Sequence, residues 1–361
     1  MTSSSNHRVL YEQNDFPAFQ NRMYESREDA RGCPRGDLRI VEDLETGLIY
    51  NAAFRPEVMN YDAFYQNDQS TSAIFQEHLG QVTGIVRRTM GLESLVEIGC
   101  GKGMFLDLLT AEGADIIGFD PTYEGSDPRI RCEYFTQDTG IAGKGIILRH
   151  VLEHIPDPVS FLFDIAAANG NQGRIYIEIP CFDWICGNRV WYDIFHEHVN
   201  YFRLGDLHRI FGSVVESGHV FGGQYIYVVG ELSSLRRPEI DTQDRVAFPM
   251  DFTDGLDAIG TLTPPPAIIW GGASKGVILA LMCERAGRPV ETVIDISPAK
   301  QGLFLAATGL KVRSPEEVLP TLAPGTPIYV VNSNYLEEVR AISQNRLTYI
   351  TIDRAPPRAA A

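Results

Sequence analysis

Paired cysteines, long apolar runs and positive charge are what this sequence lacks. Its six cysteines, at 33, 100, 132, 181, 186 and 283, show no C-x-x-C spacing. That excludes a disulfide framework and reads as reduced thiols. No apolar stretch reaches the ~20 residues of a membrane span, and the opening MTSSSNHRVLYEQNDF lacks a signal peptide's greasy segment. A soluble, cytoplasmic chain with no membrane partner is expected. Lys and Arg number 31 against 47 Asp and Glu, a net charge of −16. Such a chain repels a phosphate backbone at long range, which argues against nucleic acid as a partner. Any anionic ligand must be gripped locally, by backbone N–H groups or a few placed cations. What is present is ordinary: 44% of the 361 residues are hydrophobic and 22% charged, a globular balance. The length predicts two to three domains, since single cores stop growing near ~250–300 residues.

Four segments divide the chain. Residues 1–80 are polar and tyrosine-rich, with no long periodic segment. Residues 81–235 alternate short β-branched runs with helical patterns: strands at 94–98, 115–119, 146–148 and 174–179, helices at 104–112 and 158–168, and a closing antiparallel pair around Gly222-Gly223. Residues 236–264 form an acidic linker with helical character, running up to the break at Pro264-Pro265-Pro266. Residues 265–355 repeat the alternation, with strands at 267–270, 292–294 and 327–331 and helices at 275–286 and from 335. Alternation of this kind means parallel strands with helical crossovers. The fold class is α/β, with two Rossmann-like units and a small irregular N-terminal region.

Val96-Glu97-Ile98-Gly99-Cys100-Gly101-Lys102-Gly103 follows a strand and opens a helix. Gly99, Gly101 and Gly103 let a ligand approach the backbone at a helix N-terminus. Asp120 closes the next strand, 21 residues after Gly99, where a carboxylate can accept from ribose hydroxyls. The spacing G-x-G-x-G differs from the dinucleotide G-x-G-x-x-G, and Glu97 would repel a pyrophosphate but hold an ammonium. This is the Class I S-adenosylmethionine (SAM) pattern, with S-adenosylhomocysteine as product. His150, at the end of the 146–148 strand, borders the same ligand, while His154 reads as a packing or capping residue.

His196-Glu197-His198 lies beyond the 174–179 strand, with Tyr201 three residues on. The zinc-protease spacing H-E-x-x-H is absent and no third ligand is near in sequence, so no metal is expected. The remaining chemistry is proton transfer, which a histidine near neutral pH can perform on a carbon beside a carbonyl or on a hydroxyl. The second unit imitates a dinucleotide site: Gly271-Gly272-Ala273-Ser274-Lys275-Gly276 opens a helix and Asp295 follows 24 residues after Gly271. An NAD-linked oxidoreductase is therefore the rival. Lys275, one of five lysines in the chain, suits a phosphate or a carboxylate equally.

Together these segments resemble the sugar C-methyltransferase family, which alkylates keto-deoxysugars carried on a nucleoside diphosphate. The likeness spans Tyr61–Ser70, Glu97–Gly103, Arg149–Ile155, His196–Phe202, Gly271–Gly276, Asp295–Gly302 and Asn332–Leu336. It implies Glu197 and His198 as an acid–base pair with His198 the base, and His196 beside them. It also implies Tyr65 and Gln69 over SAM. An acceptor, expected to be a nucleotide-linked sugar, would be held by Tyr201, Lys275, Asn332, Asn334 and Tyr335. The chain would act as a monomer or homodimer. Two departures stand out. The family's N-terminal zinc cysteines are replaced by His7–Leu10 and Asp43–Thr46, so no zinc is expected. Phe195 occupies a position where relatives carry tyrosine, which leaves O- or N-methylation open.

Overall fold

The computed structural model describes residues 6–59, 64–66, 71–259 and 267–353. The apolar runs of the middle segment become strands Leu95–Ile98, Ile116–Phe119, Gly145–Arg149 and Arg174–Pro180. They are buried on both faces, as parallel strands between two helical layers must be. With Ile130–Arg131 and the hairpin Val214–Val220/Tyr225–Glu231 they build one seven-stranded sheet. Counted along the chain from Leu95–Ile98, its spatial order is 3-2-1-4-5-7-6. The five strands from Ile130–Arg131 to Arg174–Pro180 are parallel, and the hairpin joins antiparallel.

Contrary to the expectation for residues 1–80, a long helix, Ala73–Met90, starts within that block. Phe75, Leu79, Val82 and Val86 lie on one face and pack against Phe105, Leu106 and Leu109 of helix Met104–Ala111. Ser72 Oγ caps it by accepting from the Phe75 N–H at 3.3 Å. The same block also holds a sheet. Strands His7–Pro17, Arg35–Asp43 and Ile49–Asn51 pair antiparallel, and Asn200–Tyr201, from far along the chain, adds the fourth strand. The Asn51 N–H donates to Val199 O at 2.7 Å, so the segment after His198 is clamped to the N-terminal sheet. The stretches compared with zinc-binding pairs meet here: His7 faces Asp43 in the strand register, and the Leu44 N–H donates to Asn6 O at 2.9 Å.

The last segment forms a five-stranded, fully parallel sheet in the order Val312–Arg313, Val290–Ile294, Ala267–Trp270, Pro327–Val330, Thr348–Thr351. Its order along the chain is 3-2-1-4-5, a second doubly wound unit. The linker departs from its expected helix: among its described residues only Gly255–Ala258 is α-helical. Pro238 and Pro249 interrupt it, and prolines break helices. It packs instead as an irregular strap, with Phe248 and Phe252 against Tyr11. Among the described residues no helix is long and apolar enough to cross a membrane.

Candidate active site

Doubly wound sheets bind ligands at the carboxyl ends of their strands, beside the crevice where strand order reverses. Both sheets contribute such residues to one cavity of about 760 Å³. One wall carries Glu97, Gly99, Gly101, Arg149 and His150; the other carries Gly271, Ser274, Asp295 and Asn332.

Glycine makes the first wall accessible: Gly99, Gly101 and Gly103 take φ of +72°, +55° and +83°, the left-handed region that favours glycine. Glu97 is 3% exposed, and its Oε2 has no hydrogen-bond partner. Burial lifts its pKa to about 7, the Asp120 charge adding to the rise and the Arg149 charge opposing it. A buried, unpartnered carboxylate is costly unless a cation or donor arrives. Asp120 sits at the strand end as expected but does not line the cavity. Its oxygens accept from the Gly101 N–H at 2.8 Å, the Thr122 N–H at 2.9 Å and Thr122 Oγ at 2.7 Å. It fixes the glycine loop and keeps spare lone pairs.

Beneath the loop lies a charge network that the sequence does not reveal. Glu178, fully buried, meets His78 Nε2 at 3.0 Å, His150 Nε2 at 3.1 Å, Arg149 at 3.2 Å and the Tyr176 hydroxyl at 2.6 Å. Burial alone would raise its pKa; Arg149, His150 and His78 hold it well below the ordinary range. His150 is in the left-handed region (φ +53°) and its Nδ1 lies 3.5 Å from Glu153. Burial opposes its charge, yet Glu153 and Glu178 raise its pKa to about 9. His150 is thus a cation at neutral pH on the cavity wall, unsuited to take a proton.

The three members of the His196–His198 run separate. The chain bends at His196 and Glu197, sending the first ring one way and the last the other. His196 turns from the cavity: its Nδ1 bonds Asp37 O at 2.9 Å and its ring stacks on Phe54. Its assignment to the acid–base set is corrected by this packing. A Cβ on Gly36 would stand 2.2 Å from the ring. The variant Gly36→Ala is expected to lose about 1–3 kcal/mol, as overpacked cores do, measured as a lower thermal midpoint.

Glu197 is buried and spends its carboxylate on structure. Oε1 accepts from the Gln20 N–H at 2.5 Å and Oε2 from the Tyr65 hydroxyl at 3.1 Å. Tyr65 therefore sits against Glu197 as well as on the cavity; Gln69 lies outside the described residues. His198 lines the cavity, with Nε2 2.9 Å from the Gln20 amide. Burial, helped by His154, drops its pKa to about 3, and Glu153 works the other way. The ring is neutral at physiological pH. His154, read from sequence as packing, also lines the cavity, its ring edge-on to His198 with centroids 4.9 Å apart. Its Nδ1 faces the Glu197 carbonyl at 3.1 Å, which can only accept, so Nδ1 carries a hydrogen.

Glu153, His154 and His198 bring one donor atom each within 4.8 Å of one another, the donor types of a transition-metal site. Each has a partner already: His150, the Glu197 carbonyl and Gln20. Sequence reasoning missed Glu153 and Gln20. Glu153 had a signal, the i,i+3 spacing from His150. Gln20, in a polar segment far from its partners, had none.

The acceptor-binding expectations fare unevenly. Tyr201 does not reach the cavity; its hydroxyl accepts from the Phe195 N–H at 3.0 Å and donates to Phe195 O at 2.9 Å, bracing that loop. Lys275 lines the cavity but is 3.2 Å from Asp193 and lies over the Trp184 ring at 4.8 Å. It joins the two α/β units as well as lining the cavity. Asn332 and Tyr335 line the cavity, while Asn334 instead ties to the Phe221 carbonyl at 2.9 Å. The opening of helix Lys275–Arg285 is filled from within: the Ser274 N–H donates to Gln20 O at 2.8 Å, and the Gly276 and Val277 N–H groups bond within the turn. These are three of the donors a dinucleotide pyrophosphate could use there.

Residues 59–214 match a family described as a methyltransferase domain. The chain is similar to the C-methyltransferase NovU of Streptomyces niveus, 23% identical over 300 residues, 70% of each chain. Among solved structures it resembles a SAM dependent methyltransferase from Archaeoglobus fulgidus (17% identity, 44% of this chain, all of that one, TM-score 0.32). Another is magnesium protoporphyrin IX methyltransferase (ChlM) of Synechocystis PCC 6803 with bound SAM (16%, 46% of this chain, 86% of that one, TM-score 0.34). The matched stretch contains the glycine loop, His150, His198 and the five parallel strands of the seven-stranded sheet.

Proposed function

We propose that this SAM-dependent methyltransferase alkylates carbon, on a keto-deoxysugar carried by a nucleoside diphosphate, with His198 taking the proton alpha to the ketone. One observation carries the reading: an uncapped, buried carboxylate (Glu97) and a neutral, buried imidazole (His198) open on the same cavity. The similarity to a protein named a C-methyltransferase agrees with it.

The residues fit SAM. Glu97 would receive the ammonium of its methionine end, and Gly99 and Gly101 would lie along the nucleoside with Asp120 behind them. Bound there, SAM supplies an electrophilic methyl group. His198 contributes a lone pair: the C–H bond's electrons stay with the acceptor carbon as an enolate, and the proton moves to the ring. The Glu153 carboxylate stabilises the imidazolium so formed. Lys275 and Asn332, on the far wall, would meet the acceptor's anionic handle.

Deuterium exchange at the acceptor's α-carbon tests the carbon reading directly. Incubated in D2O with candidate nucleotide keto-sugars and no SAM, the protein is expected to wash deuterium into that position. An O- or N-methyltransferase would leave it protonated. An NAD-linked activity is disfavoured by the filled helix opening at Ser274. Titration with NADH is therefore expected to give no saturable fluorescence change; saturation would revive the oxidoreductase.

A further inference from the structure

Gln20 and Asn21 lie where three distant parts of the chain converge. The Gln20 N–H donates to Glu197 Oε1, its side-chain amide meets His198 Nε2 at 2.9 Å, and its carbonyl accepts from the Ser274 N–H at 2.8 Å. Asn21 Oδ1 accepts from Ser274 Oγ at 2.6 Å, and Asn21 Nδ2 reaches the Tyr65 hydroxyl at 3.4 Å. Ser274, a non-glycine residue at φ +43°, belongs to the C-terminal unit. Such backbone persists only where its surroundings hold it, and here it holds Gln20, which touches the loop of Glu197 and His198, and Asn21 beside it.

The chemistry turns on a single lone pair. A neutral imidazole has one N–H and one acceptor nitrogen, and the partner of one nitrogen fixes the role of the other. If the Gln20 amide nitrogen donates to Nε2, the lone pair is spent inside the protein and His198 cannot act as a base. If the amide oxygen instead accepts from Nε2–H, the lone pair falls on Nδ1 and is free to take a proton. The two orientations differ only by exchanging nearly isosteric O and N atoms, which network logic must assign. With nitrogen toward the ring, Gln20 Oε1 is buried without a partner; the exchange gives that oxygen an N–H and puts the amide nitrogen in the unpartnered place, so the choice rests on which ring nitrogen must keep its lone pair.

We propose that Gln20 is the positioning residue for His198: its Oε1 accepts from Nε2–H and leaves Nδ1 as the proton acceptor, and Ser274 of the C-terminal unit holds it in place. The proposal rests on His198 as the base. It gives the second α/β unit a part in proton transfer besides gripping an acceptor. Glu197, both oxygens engaged, acts on Gln20 and Tyr65 and not on the ring.

The test reads the ring itself and needs no acceptor. In the full chain labelled with 15N-histidine, long-range proton–nitrogen correlations report which nitrogen carries the hydrogen, with His198→Gln assigning the signal by its loss. Wild type is expected to show a single Nε2–H form. Gln20→Glu, whose carboxylate can only accept, is expected to keep it, whereas Gln20→Leu should mix the two forms. Ser274→Ala should move in the same direction as Gln20→Leu, and more weakly. SAM affinity and thermal midpoint measured alongside separate these shifts from misfolding; should Gln20→Leu not fold, Gln20→Glu and Ser274→Ala still decide. An Nδ1–H form in wild type, or a tautomer indifferent to Gln20, overturns the proposal. If the tautomer follows Gln20 but deuterium exchange never occurs, the base assignment fails and the positioning role survives.

Discussion

Replacing His198 by alanine lowers methyl transfer about 10²–10⁴-fold, the usual share of a positioned general base, while the SAM dissociation constant stays unchanged. The split follows from placement: the imidazole meets Gln20 and His154, and the cation-ready carboxylate belongs to the glycine loop. Turnover at saturating SAM against calorimetric SAM affinity is the measurement, and weakened SAM binding with transfer intact would sink the assignment. The pH dependence is equally specific. Burial depresses the pKa of His198 to about 3, so protonation removes its lone pair only below that value. Turnover at saturating SAM should therefore show no fall near pH 6.5 from this ring. The same low basicity weakens the driving force for proton transfer, which is why Glu153 matters: its carboxylate is what favours the protonated ring.

Glu97→Gln should do the reverse. Hydrogen bonds to charged groups contribute about 1.5–3 kcal/mol, so losing the carboxylate weakens SAM binding about ten- to a hundredfold. Chemistry on the bound complex should be largely kept. The wild-type carboxyl titrates at about 7 because burial opposes its charge. The sign is fixed by what the ligand needs. An ammonium selects the ionised form, so affinity is level above pH 7 and falls about tenfold per unit below it. In Glu97→Gln that slope should vanish. Calorimetry between pH 5.5 and 8.5 measures both; a slope that persists in the variant would assign the titration to another group.

Much of this molecule was legible from local pattern. The strands at 95–98, 116–119, 145–149 and 174–180 announced themselves as apolar runs because parallel strands are covered on both faces. The glycine loop was legible because positive φ at three spaced positions leaves few residue choices. Helix Ala73–Met90 was overlooked although Phe75, Leu79, Val82 and Val86 carry a helical period, its start hidden in a polar block. The N-terminal sheet was less accessible, since its fourth strand, Asn200–Tyr201, comes from about 150 residues further along.

By itself, then, the sequence determined two α/β units, the ligand class of the first and the run His196-Glu197-His198 as a candidate, all of which depend on residues close together in the chain. Only the tertiary structure decided the roles within that run. His196 went to packing and Glu197 to bracing Gln20 and Tyr65, while His198 and the unforeseen His154 and Glu153 came together. Those outcomes depend on which neighbour reaches each nitrogen and oxygen, and contacts such as Gln20 to His198 or Ser274 to Asn21 join residues whose spacing carries no periodicity to read.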